Sequence, residues 1–442
     1  MKILFILPEY KPFPGGGLAT YYINLLPALL KRKVSIDVIV GSAFYHGEDS
    51  FNDNGINVRS LKSKHYFKYF ELFSKFEIFP ELRRHLASAW GMYEQADYGK
   101  GFDIVETTDW GLNYIPWVIN NYQIPVITTL HGSIGQINYF DPIKGGILES
   151  DIIRLIESNT LEIVDELHTH SISNRSFWKE RLKNDLIYIP PPFTLSGEIK
   201  EYETEFNGNP LVVGRIQYWK GPTILSEALK MLGEKAPSVD WIGRDTKYQT
   251  NNQVMSSYLK NVYSDIWNNK IKSLGSLGYE EVMKLQRIAK FGIVPSLWDM
   301  FNFTCVEFMA NGKPVICSSG AGASDLIEDG INGFTYKKNE PEELSQLIRK
   351  LNEMPENKLR EIGNNAKETI INKLNPDIVA EKKVDRYEYL ISDNKVNRKV
   401  NDWISRFLTP EHGKDDIEAL LDNIPLKKLT KYSLSRIFKR VL

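Results

Sequence analysis

Asp299 and Glu307, separated by seven residues, flank what the apolar spacing predicts to be a helix start near Asn302, with Asn311-Gly312 as the stop. The run before them, Phe291 to Val294, reads as a buried strand. The first amides of that helix, Asn302, Phe303 and Thr304, would then face the mouth of a sheet. Unpaired N–H groups and the helix dipole favour an anion there. Glu307 is unsuited to phosphate alone. A ligand with both phosphate and hydroxyls satisfies both groups, because amides take the oxyanions and carboxylates accept from sugar or ribose hydroxyls. A nucleotide sugar has that make-up.

Other residues could serve the same ligand. Arg215 and Lys220 precede a helix expected to run to about Gly233, and two cations there would neutralise a diphosphate, Arg as a fork and Lys as a point charge. Gly16 and Gly17, in the loop after the first strand, would let a ligand come close to a further helix N-terminus, although a plain turn explains them equally well. His131-Gly132 follows the run VITTL. A histidine at a strand's carboxyl end can donate to a ligand oxygen, or simply serve as a loop or capping residue. Glu106 and Asp109 lie at the end of another strand and are candidates for acceptor contacts, with Asp109 also fitting a helix N-cap. His168 and His170 share one side of a strand without a third ligand in view, so no metal site is expected.

The elements that must hold these residues alternate between strand-like runs and helical stretches. Strands are expected at Lys2 to Leu7, Ile36 to Val40, Ile56 to Leu61, Asp103 to Glu106, Pro125 to Leu130 and Glu166 to Ser171. A second series follows at Leu211 to Val213, Val239 to Ile242, Lys270 to Leu274, Lys290 to Val294, Pro314 to Cys317 and Phe334 to Tyr336. Such alternation predicts parallel sheets covered by helices on both faces, an α/β class. At 442 residues the chain exceeds one core, and the expected division is 1–189, a linker at 190–209, a second domain at 210–375, a helix at 376–392 and a tail at 393–442. IPPPF followed by a polar run marks the linker.

Composition limits the partners. A net charge of -1 gives no general pull toward nucleic acid. Cys305 and Cys317 read as reduced core thiols of a cytoplasmic protein. MKILFILP lacks a signal-peptide cleavage site, and no run reaches the ~18 apolar residues of a membrane span. Two segments leave alternatives open. Residues 62–90 interleave aromatics with Lys and Arg, which fits either an amphipathic helix with its aromatics in the core or a helix dipping into an anionic membrane. The final seventeen residues hold six Lys or Arg and no acid, fitting a terminal packing helix or, better by charge, a membrane-surface helix spanning 426–442.

At VGRIQYWKG and PSLWDMFNFTCVEFMANGKPVI, followed by DLIEDGINGF, the chain resembles the retaining glycosyltransferases of family 4 over roughly residues 1–392. The family's paired Glu residues would be Asp299 and Glu307, so the first is one methylene shorter. Met300-Phe301-Asn302 stands where Gly-Phe-Gly is common. The resemblance implies two Rossmann-like domains facing across a cleft, the GT-B architecture. It also implies transfer of a hexose, with retention and without a metal or other cofactor, from a nucleotide sugar, UDP being expected, to a glycan or lipid-linked acceptor in polysaccharide biosynthesis. Arg215 and Lys220 would grip the diphosphate, and Glu307 the ribose. Asp299 and His131 would contact the transferred sugar, the amides of Asn302, Phe303 and Thr304 the distal phosphate, and the segment around Leu274 the base. Gly16 and Gly17 would close over the phosphate from the other domain. The rival readings are a nucleotide-sugar epimerase of the same architecture and an inactive partner subunit. The expected location is the cytoplasm, with peripheral attachment to the inner membrane face as the alternative.

Overall fold

The computed structural model describes the chain apart from residues 14, 121–122, 142–146, 196–204, 249–252, 394–395, 397, 414–416 and 442, and describes 417 and 435–441 by backbone alone. The middle of the expected linker thus lies outside the described residues. The first sheet has eight strands: β1 (Lys2–Leu7), β2 (Ser35–Val40), β3 (Ser50–Asp53), β4 (Ile56–Ser60), β5 (Ile104–Thr108), β6 (Val126–Leu130), β7 (Glu166–Thr169) and β8 (Leu186–Tyr188). Their order is β3-β4-β2-β1-β5-β6-β7-β8. The second sheet has six: β9 (Leu211–Val213), β10 (Val239–Ile242), β11 (Ile271–Gly275), β12 (Gly292–Val294), β13 (Val315–Ser318) and β14 (Phe334–Tyr336), ordered β11-β10-β9-β12-β13-β14.

The run KILFIL shows why these sheets are buried on both sides. Ile3, Phe5 and Leu7 enter one apolar cluster and Leu4 and Ile6 the other, because successive side chains of a strand point to opposite faces. β1 is central, with Ile6 paired to Ile39 on β2 and Ile3 to Ile104 on β5, both parallel. The second sheet repeats the pattern. Val212, Ile293 and Ile316 face one cluster, and Leu211, Val294, Val315 and Cys317 the other.

Two strands went unread in the sequence. β3 pairs antiparallel with β4 across Asn54 and Gly55, both at positive φ, so the first sheet is not wholly parallel. β8 has only three residues.

The helix Pro376–Asp393 returns from the second domain to the first. It packs along the helix Gly17–Lys31 and contributes Val379, Ala380 and Tyr387 to the first domain's core. The tail also belongs to that domain: Trp403, Ile404, Phe407 and Leu408 are buried with Trp90 and Trp117. The last helix, Leu426–Val441, lies beside Leu148–Thr160. Lys428 donates to Asn159 Oδ1 at 2.7 Å and the Tyr432 hydroxyl to Asp151 Oδ1 at 2.9 Å.

In 62–90 the core reading holds for most aromatics. Tyr66, Tyr69, Phe73, Phe76 and Phe79 are buried, and Phe67 stays 52% exposed. Arg83 stacks over Phe70 at 3.9 Å, so even a cation of this stretch turns inward. Among the described residues, no helix is long and apolar enough to cross a membrane.

Candidate active site

The carboxyl ends of the two sheets meet. The helix Phe303–Ala310 starts where β12 leads into the loop at 295–302. Asn302 caps it at φ 83°, its side chain accepting from the Cys305 amide at 3.0 Å. Asparagine tolerates this left-handed conformation, which explains how it can stand where glycine is usual. The first-turn amides of Phe303 and Thr304 have no acceptor within the helix.

The same asparagine donates from Nδ2 to Asp299 Oδ2 at 2.8 Å, and Lys220 Nζ forms an ion pair with that oxygen. Lys220 is delivered by a tight turn, Tyr218–Lys220. Leu297 donates its amide to Trp219 O at 2.8 Å, tying this turn to the 295–299 loop. At Gly221, φ is 73° and a Cβ would fall 1.7 Å from Pro295 O, so only glycine permits the approach.

Arg215 is exposed at the cleft, with Arg244, Asp299 and Glu9 as its charged neighbours. Arg244 is a cation that the sequence reading missed. Its signal is the repeat of Val213-Gly214-Arg215 as Ile242-Gly243-Arg244 after the adjacent strand. A Cβ at Gly243 would sit 2.0 Å from Gly214 O, and φ is 154° at Gly214 and 151° at Gly243, which together explain why both turns carry glycine.

Glu307 is held by Gln286, whose Nε2 donates to Oε2 at 3.1 Å, while Asn311 Nδ2 donates to Gln286 Oε1 at 3.0 Å. Burial pushes the Glu307 carboxyl above its usual range, and the Gln286 bond partly offsets this. Leu274, on β11, is half-buried and packs with the neighbouring apolar cluster.

From the first domain, Gly17 faces Phe303 directly: a Cβ there would lie 3.0 Å from the Phe303 ring. The Gly16 amide donates to Glu9 Oε2 at 2.8 Å, so the anion position assigned to this loop is taken by the chain's own carboxylate. Trp298 reaches over Gly132 and stacks on Phe140 with 4.7 Å between centroids. The domains thus touch on both sides of the cleft.

His131 sits in an aromatic nest with Tyr21, Tyr22 and His170. Its Nδ1 is 3.2 Å from His170 Nε2 and its Nε2 3.4 Å from the Tyr22 hydroxyl. Burial, then His170 and Lys383, holds the imidazole well below its ordinary range, so it is neutral near pH 7 and can donate without carrying charge.

Glu106 and Asp109 need correction as acceptor-binding residues, because both are fully buried. Glu106 forms an ion pair with Lys383 at 2.8 Å and accepts from Thr129 at 2.7 Å and from the Tyr387 hydroxyl. It fastens the returning helix. Asp109 Oδ1 accepts from the Trp110 amide at 2.8 Å and the His131 amide at 2.7 Å, which is the capping role. His168 is likewise structural, between Glu166 at 2.6 Å and Lys383 at 2.7 Å. Among the described residues, no cluster of His, Cys, Asp and Glu could hold a metal ion.

This geometry agrees with comparisons to known proteins. Residues 15–193 match the model for "Glycosyltransferase Family 4" and residues 207–369 that for "Glycosyl transferases group 1", and together they span most of the chain. An uncharacterised glycosyltransferase of Methanocaldococcus jannaschii is 31% identical over 250 residues, 56% of this chain and 64% of that protein. Sucrose-phosphate synthase from Thermosynechococcus elongatus superimposes with a TM-score of 0.66 at 16% identity, covering 89% of this chain and 100% of that one. Anabaena HepE, solved in complex with UDP and glucose, gives 0.58 at 18% identity over 88% and 100%. The chain is a glycosyltransferase of the GT-B fold. It belongs to the family-4 type, its first domain carrying the family-4 match and its second the group-1 match.

Proposed function

We propose that this enzyme moves a hexose from a nucleotide diphosphate sugar, UDP-linked in the first instance, to a hydroxyl of a glycan or lipid-linked glycan, with retention of anomeric configuration and no bound metal. The observation that carries the reading is the grouping of cations around Asp299: Lys220 pairs with it, Arg215 has both Asp299 and Arg244 as charged neighbours, and Asn302 ties Asp299 to the start of Phe303–Ala310. Three cations and two free amides suit a departing diphosphate, and Glu307 behind them suits the ribose hydroxyls. UDP is favoured because the structurally similar HepE was solved with UDP and glucose.

In this mechanism the bond from the anomeric carbon to the diphosphate oxygen breaks as the acceptor oxygen attacks from the same face. The acceptor's proton passes to the departing phosphate oxygen, so no side-chain base is required. The cations stabilise charge that develops on the leaving group. Asp299 enters this scheme paired with Lys220, so binding the diphosphate exchanges that ion pair for one with the ligand and frees the carboxylate for sugar hydroxyls. Contact of the domains at Gly17–Phe303 and Gly132–Trp298 limits water and hence hydrolysis. The reaction is assigned to the cytoplasm, at the inner membrane face when the acceptor is lipid-linked. Liposome flotation with and without 426–442 tests that attachment.

Lys220→Ala should lower donor turnover by ~100-fold or more while the circular dichroism spectrum is kept. Undiminished turnover would refute the donor-site assignment. A thermal-shift panel of UDP, GDP and ADP identifies the base, since a bound nucleotide stabilises by mass action.

A further inference from the structure

The tail helix does more than cover the first domain. Between it and the helices Ile134–Phe140, Leu148–Thr160 and Ile172–Lys179 lies a cavity of about 430 Å³. Four cations from three separate segments line it: Arg154, Arg181, Lys428 and Lys431. Arg181 lies flat on Phe177, 3.7 Å from the ring centre, and Arg154 Nε is held by the Tyr432 hydroxyl at 3.1 Å. The basic residues of the tail are therefore aimed in part at its own domain, where a helix serving only as cover would place apolar groups.

Acids offset part of this charge: the buried Asp151 forms an ion pair with Arg154, and Glu162 joins Glu157 and Glu180 in the lining. Glu180 is 77% exposed and engaged with Arg181 at 3.3 Å. Glu157 is buried at the back and accepts from the Ser133 hydroxyl at 2.7 Å and the Gly135 amide at 2.9 Å. Burial raises its carboxyl to about 8, so it is mostly uncharged at neutral pH. These two bonds also locate the cavity. Ser133 and Gly135 directly follow His131-Gly132, so the back of the cavity is the loop whose front faces the cleft. Aromatic faces beside fixed cations suit a sugar ring bearing an anionic group, the rings stacking on its C–H faces and the cations pairing with its charge.

We propose that this cavity is a second saccharide site, in which an anionic sugar unit bearing a carboxylate or phosphate is held by Arg154, Arg181, Lys428 and Lys431 against Phe177 and Tyr432. It would hold a non-reacting unit of the acceptor, and so rests on the glycosyltransfer reading above.

Calorimetry on the full chain with four probes tests this: a hyaluronan hexasaccharide (carboxylate), glucose 6-phosphate, maltohexaose (neutral) and inorganic phosphate. At least one anionic sugar should bind, with affinity reduced tenfold or more both in Lys428→Ala/Lys431→Ala and in Arg181→Glu. The second variant leaves the tail's own contacts intact. The carboxylate and phosphate probes tell which anion is preferred. The proposal is overturned if neither anionic sugar binds, if maltohexaose or inorganic phosphate binds as tightly, or if both variants bind like the wild type. UDP thermal shifts on the same samples report on the donor cleft, and their absence in the wild type would count against the proposed function instead.

Discussion

At the scale of single residues, the departures from the family pattern are coupled. Asp299 is shorter than the usual glutamate, and Asn302, in place of glycine, supplies the bond that fixes it. Replacing Asn302 by Gly should leave the melting temperature nearly unchanged, since glycine accepts φ 83° and gives up little as a cap. Turnover should nevertheless fall, because Asp299 loses a positioning donor. Asn302→Ala should also lose turnover and in addition destabilise by roughly 2–3 kcal/mol, from left-handed strain and the missing cap. Equal melting of the two variants would contradict this account. Gln286→Ala should weaken UDP binding several-fold without loss of the fold, because Glu307 loses the side-chain donor that holds it; a calorimetric titration of UDP measures it.

At the scale of elements, the returning helix is fastened by charge as well as by packing. Lys383 and Glu106 are both fully buried, so Lys383→Met should leave Glu106 uncompensated and cost about 3–5 kcal/mol in urea unfolding. Adding Glu106→Gln should recover part of that loss. Buried acids make stability depend on pH in two directions. Burial raises Asp109 to about 7 and Glu157 to about 8, so between about pH 4 and 8 the folded chain holds protons that the unfolded chain has released. Stability therefore declines as pH rises through that window, and Asp109→Asn should flatten the decline in denaturation series at pH 5.5 and 8.5. Glu166 has the opposite sign. His168 and Arg386 outweigh its burial and hold it down at about 2, so its contribution is present above about 4.5 and is lost as pH falls toward 2.

Most of the elements were legible in the sequence because apolar runs and turn residues report directly on sheets buried from both sides. The antiparallel β3 was not, although Asn54-Gly55 marked its turn. The grouping of Lys220, Asp299 and Asn302 at the start of the helix that carries Glu307 was legible because these residues keep a recognisable motif. Glu106 and Asp109 were misjudged, since a strand's carboxyl end fixes where a residue sits but not which way its side chain faces. The partner that buries Glu106 is Lys383, 277 positions away, and no local pattern announces it.

For the whole molecule, the two domains meet through small residues, so cleft closure should be sensitive to size. Gly17→Val would press a side chain into Phe303 and hold the cleft wider; small-angle scattering should then show little compaction with UDP, and turnover should drop while each domain keeps its secondary structure. The tail is integral to the first domain. Trp403→Ala should destabilise by roughly 3–5 kcal/mol through loss of buried contacts.

The returning helix also sets an order of events during synthesis. Glu106, Glu166 and Asp165 are made before the second domain, yet Lys383, Arg386 and Arg398, which neutralise them, leave the ribosome only after it. The half that emerges first must therefore wait without these cations and with part of its core uncovered, while the second domain, whose strands and helices are contiguous in the chain, can finish folding before it.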